Sequence, residues 1–158
     1  MSEPSAEVIR VLDDLRRIVR ALRSASRAAE VELGVSGAQL FVLKTLAASP
    51  RIALSELAAR TRTDQSTVSG VVKRLVEAGF VERETASDDR RRVELTPTKR
   101  GRALLRRAPN AAQENLIGGL ERLPKSERAA LASALRSLVN AMRLEDEAPQ
   151  MFFEDDKS

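Results

Sequence analysis

The sequence predicts a mainly α-helical fold with one small β-hairpin, and three observations support this prediction. Apolar residues recur at helical spacing along most of the chain, beginning with one long stretch at residues 6–32. Residues 80–84 and 92–96 instead alternate apolar and polar side chains, as short strands do. A helix with a polar start, at 64–78, comes directly before these strands. A helix followed at once by a hairpin is the arrangement of a winged helix-turn-helix.

Capping residues and helix breakers set the boundaries of the elements. The predicted helices lie at 6–32, 36–48, 64–78, 99–120 and 125–144, with a short one beginning at Ser55. The side chains expected to cap helix starts are Ser36 (with Gln39 as a capping box), Ser55, Thr63 or Asp64, and Thr98. The expected stops are Gly34, Ser49-Pro50, Gly79 and Leu123-Pro124. Pro109 and the pair Gly118-Gly119 should bend the fifth helix.

These elements divide the chain into four parts. Residues 1–34 form an N-terminal dimerisation helix, 35–100 the winged lobe, 101–144 the C-terminal dimerisation helices, and 145–158 an acidic tail that we expect to be mobile. Long terminal helices carry more apolar face than one small lobe covers, which predicts a partner chain. The trio Met151, Phe152 and Phe153 is apolar for a free end. It either docks onto the dimer, plugs a ligand site, or forms a frayed end, which is the interpretation that we favour from sequence.

Composition excludes several classes of function. The chain has 158 residues with no Cys and no His. Disulfides, thiol redox sensing, zinc sites built on Cys or His, and catalysis by a nucleophile with a histidine base are therefore excluded. No phosphate-cradling glycine loop is present. We expect no enzyme activity, no cofactor and no metal. The sequence also has no signal peptide and no apolar run of about 20 residues, so we expect a cytoplasmic protein.

Charge is concentrated around the predicted hairpin. Net charge is +4, from 27 basic and 23 acidic residues, but basic residues dominate 87–107 and acidic residues dominate 144–158. Arginine greatly outnumbers lysine, and its guanidinium suits phosphate and guanine. A GC-rich genome would give the same bias. The position of the basic cluster nevertheless predicts contact with double-stranded DNA.

Candidate DNA-binding residues fall on the fourth helix and on the hairpin tip. The start of the helix offers side chains that bond base edges or phosphates, namely Gln65, Ser66, Thr67 and Ser69. Lys73 and Arg74 lie later on the helix and suit phosphate contacts. Arg90, Arg91 and Arg92 form the tip, with Arg83 a lesser candidate on the first strand. Each group also has an ordinary interpretation as a solvated surface.

These parts, in this order, resemble the MarR family of bacterial transcription regulators over essentially residues 6–144. The sharpest motif is Asp89-Arg90-Arg91 followed by Val93, Thr98 and Gly101. The stretch LAARTRTDQSTVSGVVKRLVEAGFVER also resembles the helix-turn-helix of the family. Two departures are Pro97-Thr98, where family members usually have Leu-Thr, and Gly70, where they often carry a basic residue.

The resemblance implies a homodimer whose terminal helices interlock and whose two lobes bind a roughly palindromic operator. Many members are repressors released by a small aromatic or phenolic ligand bound between the dimer helices and the lobe. It also implies that Asp89 stabilises the wing by pairing with one of its arginines. The function expected is therefore that of a ligand-released repressor. The alternatives are an architectural DNA-binding protein without a ligand and a winged-helix protein-interaction module.

Overall fold

The computed structural model describes residues 3–147 and 149–153. The described elements are α1 (Ala6–Leu33), α2 (Gly37–Ala48), α3 (Leu54–Thr61), α4 (Gln65–Glu77), β1 (Val81–Thr85), β2 (Val93–Pro97), α5 (Lys99–Leu105), α6 (Ala112–Arg122) and α7 (Lys125–Ala141). The two strands form one antiparallel hairpin. The predicted fold class, mainly helical with a winged helix-turn-helix, is therefore confirmed.

The core of the lobe is built around α2. This helix is apolar on all sides, so it can lie only where neighbouring elements enclose it. Helices α3 and α4, the hairpin and α5 surround it. The side chains that are 0% exposed come from α2, α3 and α4, and they are Leu40, Val42, Leu43, Leu46, Leu57, Val68, Val71, Val72 and Leu75.

Three of the predicted helix caps are present and one prediction is wrong. Ser36 and Gln39 form the capping box of α2, with bonds of 3.1 and 2.8 Å. Asp64 caps α4, and Thr98 caps α5. Ser55 does not cap α3, because that helix begins at Leu54 after Ala53, which makes no side-chain cap bond.

The early start of α3 follows from a link between the segment before it and the hairpin. Ile52 pairs with Leu95 of β2, and Leu95 donates to the Ile52 carbonyl at 2.9 Å. Arg51 donates to the Leu95 carbonyl at 3.0 Å. The pairing holds the chain against β2 as far as Ile52, so the helix begins soon after the bridge ends.

The strands lie one residue later than the sequence predicted. Phe80 stays outside β1, because its N–H donates to the Leu75 carbonyl at 2.9 Å in the turn after α4. Arg92 stays outside β2, because its own N–H donates to the Asp89 carbonyl at 3.0 Å. Both shifts arise because backbone groups bond within local turns instead of extending the ladder.

The predicted fifth helix is two helices. Pro109 lacks an N–H and disfavours the helical conformation of the residue before it, so α5 ends at Leu105 and α6 begins at Ala112. The Glu114 carboxylate then accepts from Ala111 N–H at 2.6 Å and from Lys44 Nζ at 2.7 Å, which ties α6 to α2. Gly118-Gly119 lies within α6, which continues through this pair to Arg122.

The ends of the described chain differ in burial. Helix α7 has no buried residue, and the first half of α1 is also exposed. Met151, in contrast, is 5% exposed and packs with the core cluster, which favours a docked apolar end over a frayed one. Within the described ranges no single helix is long and apolar enough to cross a membrane. Only the bent pair of α1 and α2 satisfies length and composition together.

Gly101 offers a sharp test of this packing. A Cβ at this position would lie 2.2 Å from the Phe80 carbonyl oxygen, which is backbone and cannot rotate away. We expect Gly101→Ala to lower the free energy of unfolding by about 3 kcal/mol or more. Gly118→Ala is the matched control, because a Cβ there meets only Arg122 Nη1 at 3.5 Å. It should stabilise α6 by about 0.5–1 kcal/mol.

Urea denaturation at one fixed protein concentration measures both changes. A Gly101→Ala variant as stable as the parent chain would show that α5 does not pack closely on Phe80.

Candidate nucleic-acid interface

Packing on α2 leaves one face of α4 in solvent. Val68, Val71, Val72 and Leu75 are buried on the inner side. The helical repeat then directs the opposite side outward. Gln65, Ser66 and Lys73 are exposed there, and Thr67 and Ser69 are partly exposed at its edges. The sequence indicated six polar side chains on α4. The structure brings five of them together on this face, and the sixth, Arg74, lies elsewhere.

Gly70 lies near the middle of this outward face. Along the helix axis it lies between Ser66 and Lys73, about one turn from each. A surface without a Cβ lets a neighbouring group approach the helix backbone more closely than any other residue would.

Asp64 organises the first turn of α4. Its carboxylate accepts from Thr67 N–H at 2.9 Å and from the hydroxyls of Ser66 and Thr67, both at 2.6 Å. The Ser66 and Thr67 hydroxyls, followed by the Thr67 N–H, hold the pKa of Asp64 well below its usual range. The carboxylate therefore stays ionised at neutral pH. Sequence analysis treated Asp64 only as one possible cap.

This arrangement changes what two predicted DNA-binding hydroxyls can offer. The protons of Ser66 and Thr67 are directed at Asp64. Their oxygens keep free lone pairs, which accept hydrogen bonds but do not donate them. In this conformation both side chains match amino groups of adenine or cytosine better than phosphate oxygens.

The two cations of α4 occupy different environments. Lys73 is exposed and lies 4.0 Å from Glu77, a long surface pair that contributes little and breaks readily. Arg74 instead turns toward α1, where its Nε and Nη2 are buried. The predicted phosphate contact of Arg74 therefore does not fit the geometry, because its guanidinium lies away from the face that carries Ser66 and Lys73.

The wing tip divides its arginines into two kinds. Arg90 and Arg91 are exposed, and among the described residues neither has an acidic partner. Arg92 is held at 2.9 Å by both Asp88 and Glu94. Arg90 and Arg91 are therefore free to meet phosphate, whereas Arg92 maintains the shape of the tip.

Asp89 holds the turn through the backbone. Its carboxylate accepts from Arg91 N–H at 2.9 Å, and its carbonyl accepts from Arg92 N–H at 3.0 Å. The expected contact with an arginine side chain is made by Asp88 instead. The stabilising position of Asp89 thus agrees with the prediction, but its bonding partner does not.

Glu94 and Arg51 are two contributors that sequence analysis missed. The Glu94 side chain is 7% exposed and binds Arg51 Nε at 3.1 Å and Arg92 Nη2 at 2.9 Å. A buried carboxylate requires such partners. No signal in the sequence indicated this burial, because Glu94 lies between two apolar residues of an alternating strand, where a solvent-facing side chain is expected.

A cleft separates α4 from the hairpin. It has a volume of about 340 Å³, and Ser69 of α4 and Arg83 of β1 both line it. The lesser candidate Arg83 is therefore placed beside the reading face. The cleft thus joins the outer side of α4, without Arg74, to the strand ends that carry the wing tip.

A second opening lies behind α4 and is called here the α1–α4 crevice. Its volume is about 830 Å³. Three basic side chains, several hydrogen-bonding groups and one aromatic ring line it: Arg23, Ser26, Arg27, Glu30, Gly34, Val35, Ser36, Gln39, Arg74 and Phe153. Within the described part of the chain, no group of three Asp or Glu side chains is arranged to hold a metal ion.

Comparisons with known proteins identify the family. The model of the MarR family matches residues 35–93, which span the helix-turn-helix and most of the hairpin. An HTH-type transcriptional regulator of Mycobacterium tuberculosis is 33% identical over 140 residues, which cover 89% of this chain and 96% of the relative.

Two solved structures are similar in fold. A MarR family transcriptional regulator from Streptomyces coelicolor, solved in complex with DNA, is 23% identical with a TM-score of 0.60, covering 94% of this chain and 99% of the other. BpsR of Bordetella bronchiseptica, described as regulated in DNA binding by 6-hydroxynicotinic acid, is 28% identical with a TM-score of 0.55, covering 82% and 98%.

The mycobacterial relative matches along nearly its whole length, and the family model falls on the segment that forms the exposed face of α4 and the wing. The chain therefore belongs to the MarR family, whose members are DNA-binding transcriptional regulators and not enzymes.

Proposed function

We propose that this regulator is a homodimeric, sequence-specific repressor that a small aromatic effector releases from a pseudo-palindromic operator. The observation that carries the proposal is the single surface formed by the polar face of α4 and the free arginines of the wing. α4 fits the major groove, and the tip reaches the neighbouring backbone or minor groove. A dimer on its operator would exclude polymerase from an overlapping promoter. We place this activity in the cytoplasm, where bacterial DNA lies.

Exposed apolar side chains support the dimer. Four apolar side chains, spaced about one turn apart, form a stripe along α7 and its C-cap. They are Leu131, Leu135, Leu138 and Met142, which are 37%, 43%, 40% and 59% exposed. On α1 a second set is exposed, comprising Val8, Ile9, Val11, Leu12, Ile18 and Val19. Apolar surface on this scale is typical of an interface. A two-fold partner would cover both sets and place two α4 helices on successive turns of one DNA face.

The dimer prediction concerns Leu135. We expect light scattering to give a dimeric mass at micromolar concentration. Leu135→Asp places a charge in the proposed interface, and it should raise the dimer Kd by at least about 100-fold. Ser133→Asp, on the opposite side of the same helix, is the control and should remain dimeric. A monomeric parent chain would contradict the proposal.

The recognition-helix prediction separates base reading from phosphate binding. Gln65→Ala should cost about 1–3 kcal/mol on the operator and much less on scrambled DNA, because a glutamine amide bonds adenine through two hydrogen bonds. Lys73→Ala should weaken binding to both DNAs equally and flatten the salt dependence by about one charge. Titrations at two salt concentrations measure both effects. If Gln65→Ala left the ratio of operator affinity to scrambled-DNA affinity unchanged, α4 would not read a base through Gln65.

The wing prediction compares arginines of equal charge. Arg90→Ala and Arg91→Ala should each weaken operator and unrelated DNA by similar factors if the tip contacts phosphate. Sites with a narrow A·T-rich flank should lose more if either side chain reads minor-groove width. Arg136→Ala, on α7, removes the same charge outside the surface and serves as control. Unchanged affinity in both single variants and in their double variant would remove the wing from the interface.

The effector prediction concerns the α1–α4 crevice. Its size and its arginines suit an aromatic carboxylate. We expect benzoate, 4-hydroxybenzoate or 6-hydroxynicotinate to raise the melting temperature. At a ligand concentration 100 times its Kd, the native state should be stabilised by about 2.7 kcal/mol. Arg27→Ala should abolish the rise, and Arg20→Ala, outside the crevice, should preserve it. If no compound in a wider aromatic panel stabilises the protein, the architectural DNA-binding alternative is favoured instead.

A further inference from the structure

The C-terminal residues Met151, Phe152 and Phe153, called here the apolar strap, return to the lobe after α7 ends. Met151 is 5% exposed and belongs to the same core cluster as Val35, Ala38 and Leu75. Burial of this long flexible side chain anchors the strap to the lobe. The strap is therefore attached at a defined point, although almost all of α7 before it is exposed.

The next residues of the strap lie in two different settings. Phe152 is 46% exposed. Phe153 is half-buried and lines the α1–α4 crevice. Its backbone has φ 57, a left-handed conformation that is costly for a bulky residue and persists where surrounding contacts hold it. The two rings are tilted, with centroids 6.2 Å apart.

The crevice that Phe153 enters joins three elements. Arg23 and Arg27 come from α1, Ser36 and Gln39 from the start of α2, and Arg74 from α4. Ser26 fixes the first two elements together, because its hydroxyl accepts from Gly37 N–H at 3.2 Å. An occupant of the crevice therefore touches α1, the start of α2 and the helix whose other side carries Ser66 and Lys73.

We propose that the apolar strap is a built-in occupant of the α1–α4 crevice, with Met151 as its anchor and Phe153 as the group that an aromatic effector displaces. This inference rests on the proposed effector site. Ligand and Phe153 compete for the same part of the crevice, between the same arginines. The strap thus lowers the apparent affinity for the effector in proportion to the fraction of time that it is closed. Its release also changes the contacts of Arg74, which couples the crevice to α4.

Fluorescence tests the placement of the strap without any ligand. The chain has no Trp and no Tyr, so Phe153→Trp and Phe152→Trp each introduce a single reporter into the full-length protein. We expect Trp at 153 to emit at shorter wavelength and to be quenched by acrylamide several-fold less than Trp at 152. Equal quenching of the two reporters would overturn the proposal, while operator binding by both variants would leave the DNA-binding function intact.

Competition is tested with the aromatic acid that gives the largest thermal shift. For a strap closed about nine-tenths of the time, Phe153→Ala should lower the Kd of that acid about tenfold. Phe152→Ala, which removes an exposed ring, should change it less than about twofold. A Kd unaltered by Phe153→Ala would overturn the proposal. Saturating acid should also move the emission of Trp at 153 to longer wavelength, and emission that stays unchanged would count equally against displacement.

Failure of the strap and failure of the effector site give different results. If no aromatic acid binds the full chain or Phe153→Ala, the effector site is refuted and displacement is refuted with it. If an acid binds with the same Kd to the parent chain and to Phe153→Ala, the effector site stands and only the strap is refuted.

Discussion

Burial of one face of α4 against α2 determines the orientation of every group on the reading surface. Four aliphatic side chains, Val68, Val71, Val72 and Leu75, are fully enclosed, and each contributes about 1.5–3 kcal/mol relative to exposure. Rotating α4 by one residue would expose part of this set and bury polar groups without partners. The core therefore sets the outward direction of Ser66 and Lys73. The residues on this outer face of α4 can vary without altering that direction.

Acidic residues give the basic surface its form. Asp64 directs two hydroxyls of α4, Asp89 closes the turn of the wing, and Glu94 binds Arg92 from beneath. Each carboxylate repels phosphate at long range. Each also bonds a donor or a cation of the protein itself, so that this group is not available to DNA. The protein thereby distinguishes arginines that hold the tip from Arg90 and Arg91, which remain available. A count of charges along the chain would assign all of them the same role.

Specific pairs of residues also connect the lobe to the segments that flank it. Ile52 joins the segment before α3 to β2, and the Glu114 carboxylate joins α6 to α2 while capping α6. Close contact between Gly101 and the Phe80 carbonyl fixes α5 beside the hairpin. These three contacts tie the hairpin to the segment before α3 and to α5, and tie α6 to α2.

The fold class and the order of the elements could be predicted from the sequence, except that the fifth helix is divided into α5 and α6, and the outer face of α4 carries five of the six polar side chains indicated there. Apolar spacing located α1, α2, α4 and α7, because helix burial repeats with the helical period. Caps such as Ser36 and Thr98 were recognisable since they bond within three residues. The start of α3 was misplaced because it depends on pairing with Leu95, which is distant in sequence, whereas the strands were shifted because Phe80 and Arg92 bond within turns. Pro109 was predicted to bend a helix, and only the pairing of Glu114 with Lys44 shows how a separate helix begins after it.

Tertiary structure alone decided which charged side chains are free. Arg74 and Lys73 are adjacent in sequence and were assigned similar roles, but one residue of helix turns them about 100° apart, toward a crevice and toward solvent. Arg90, Arg91 and Arg92 are consecutive, and the carboxylates of Asp88 and the buried Glu94 separate the last from the others. Met151 is buried against residues of the lobe that lie far from it in sequence. Local patterns report on neighbours along the chain, whereas these distinctions arise from neighbours in space.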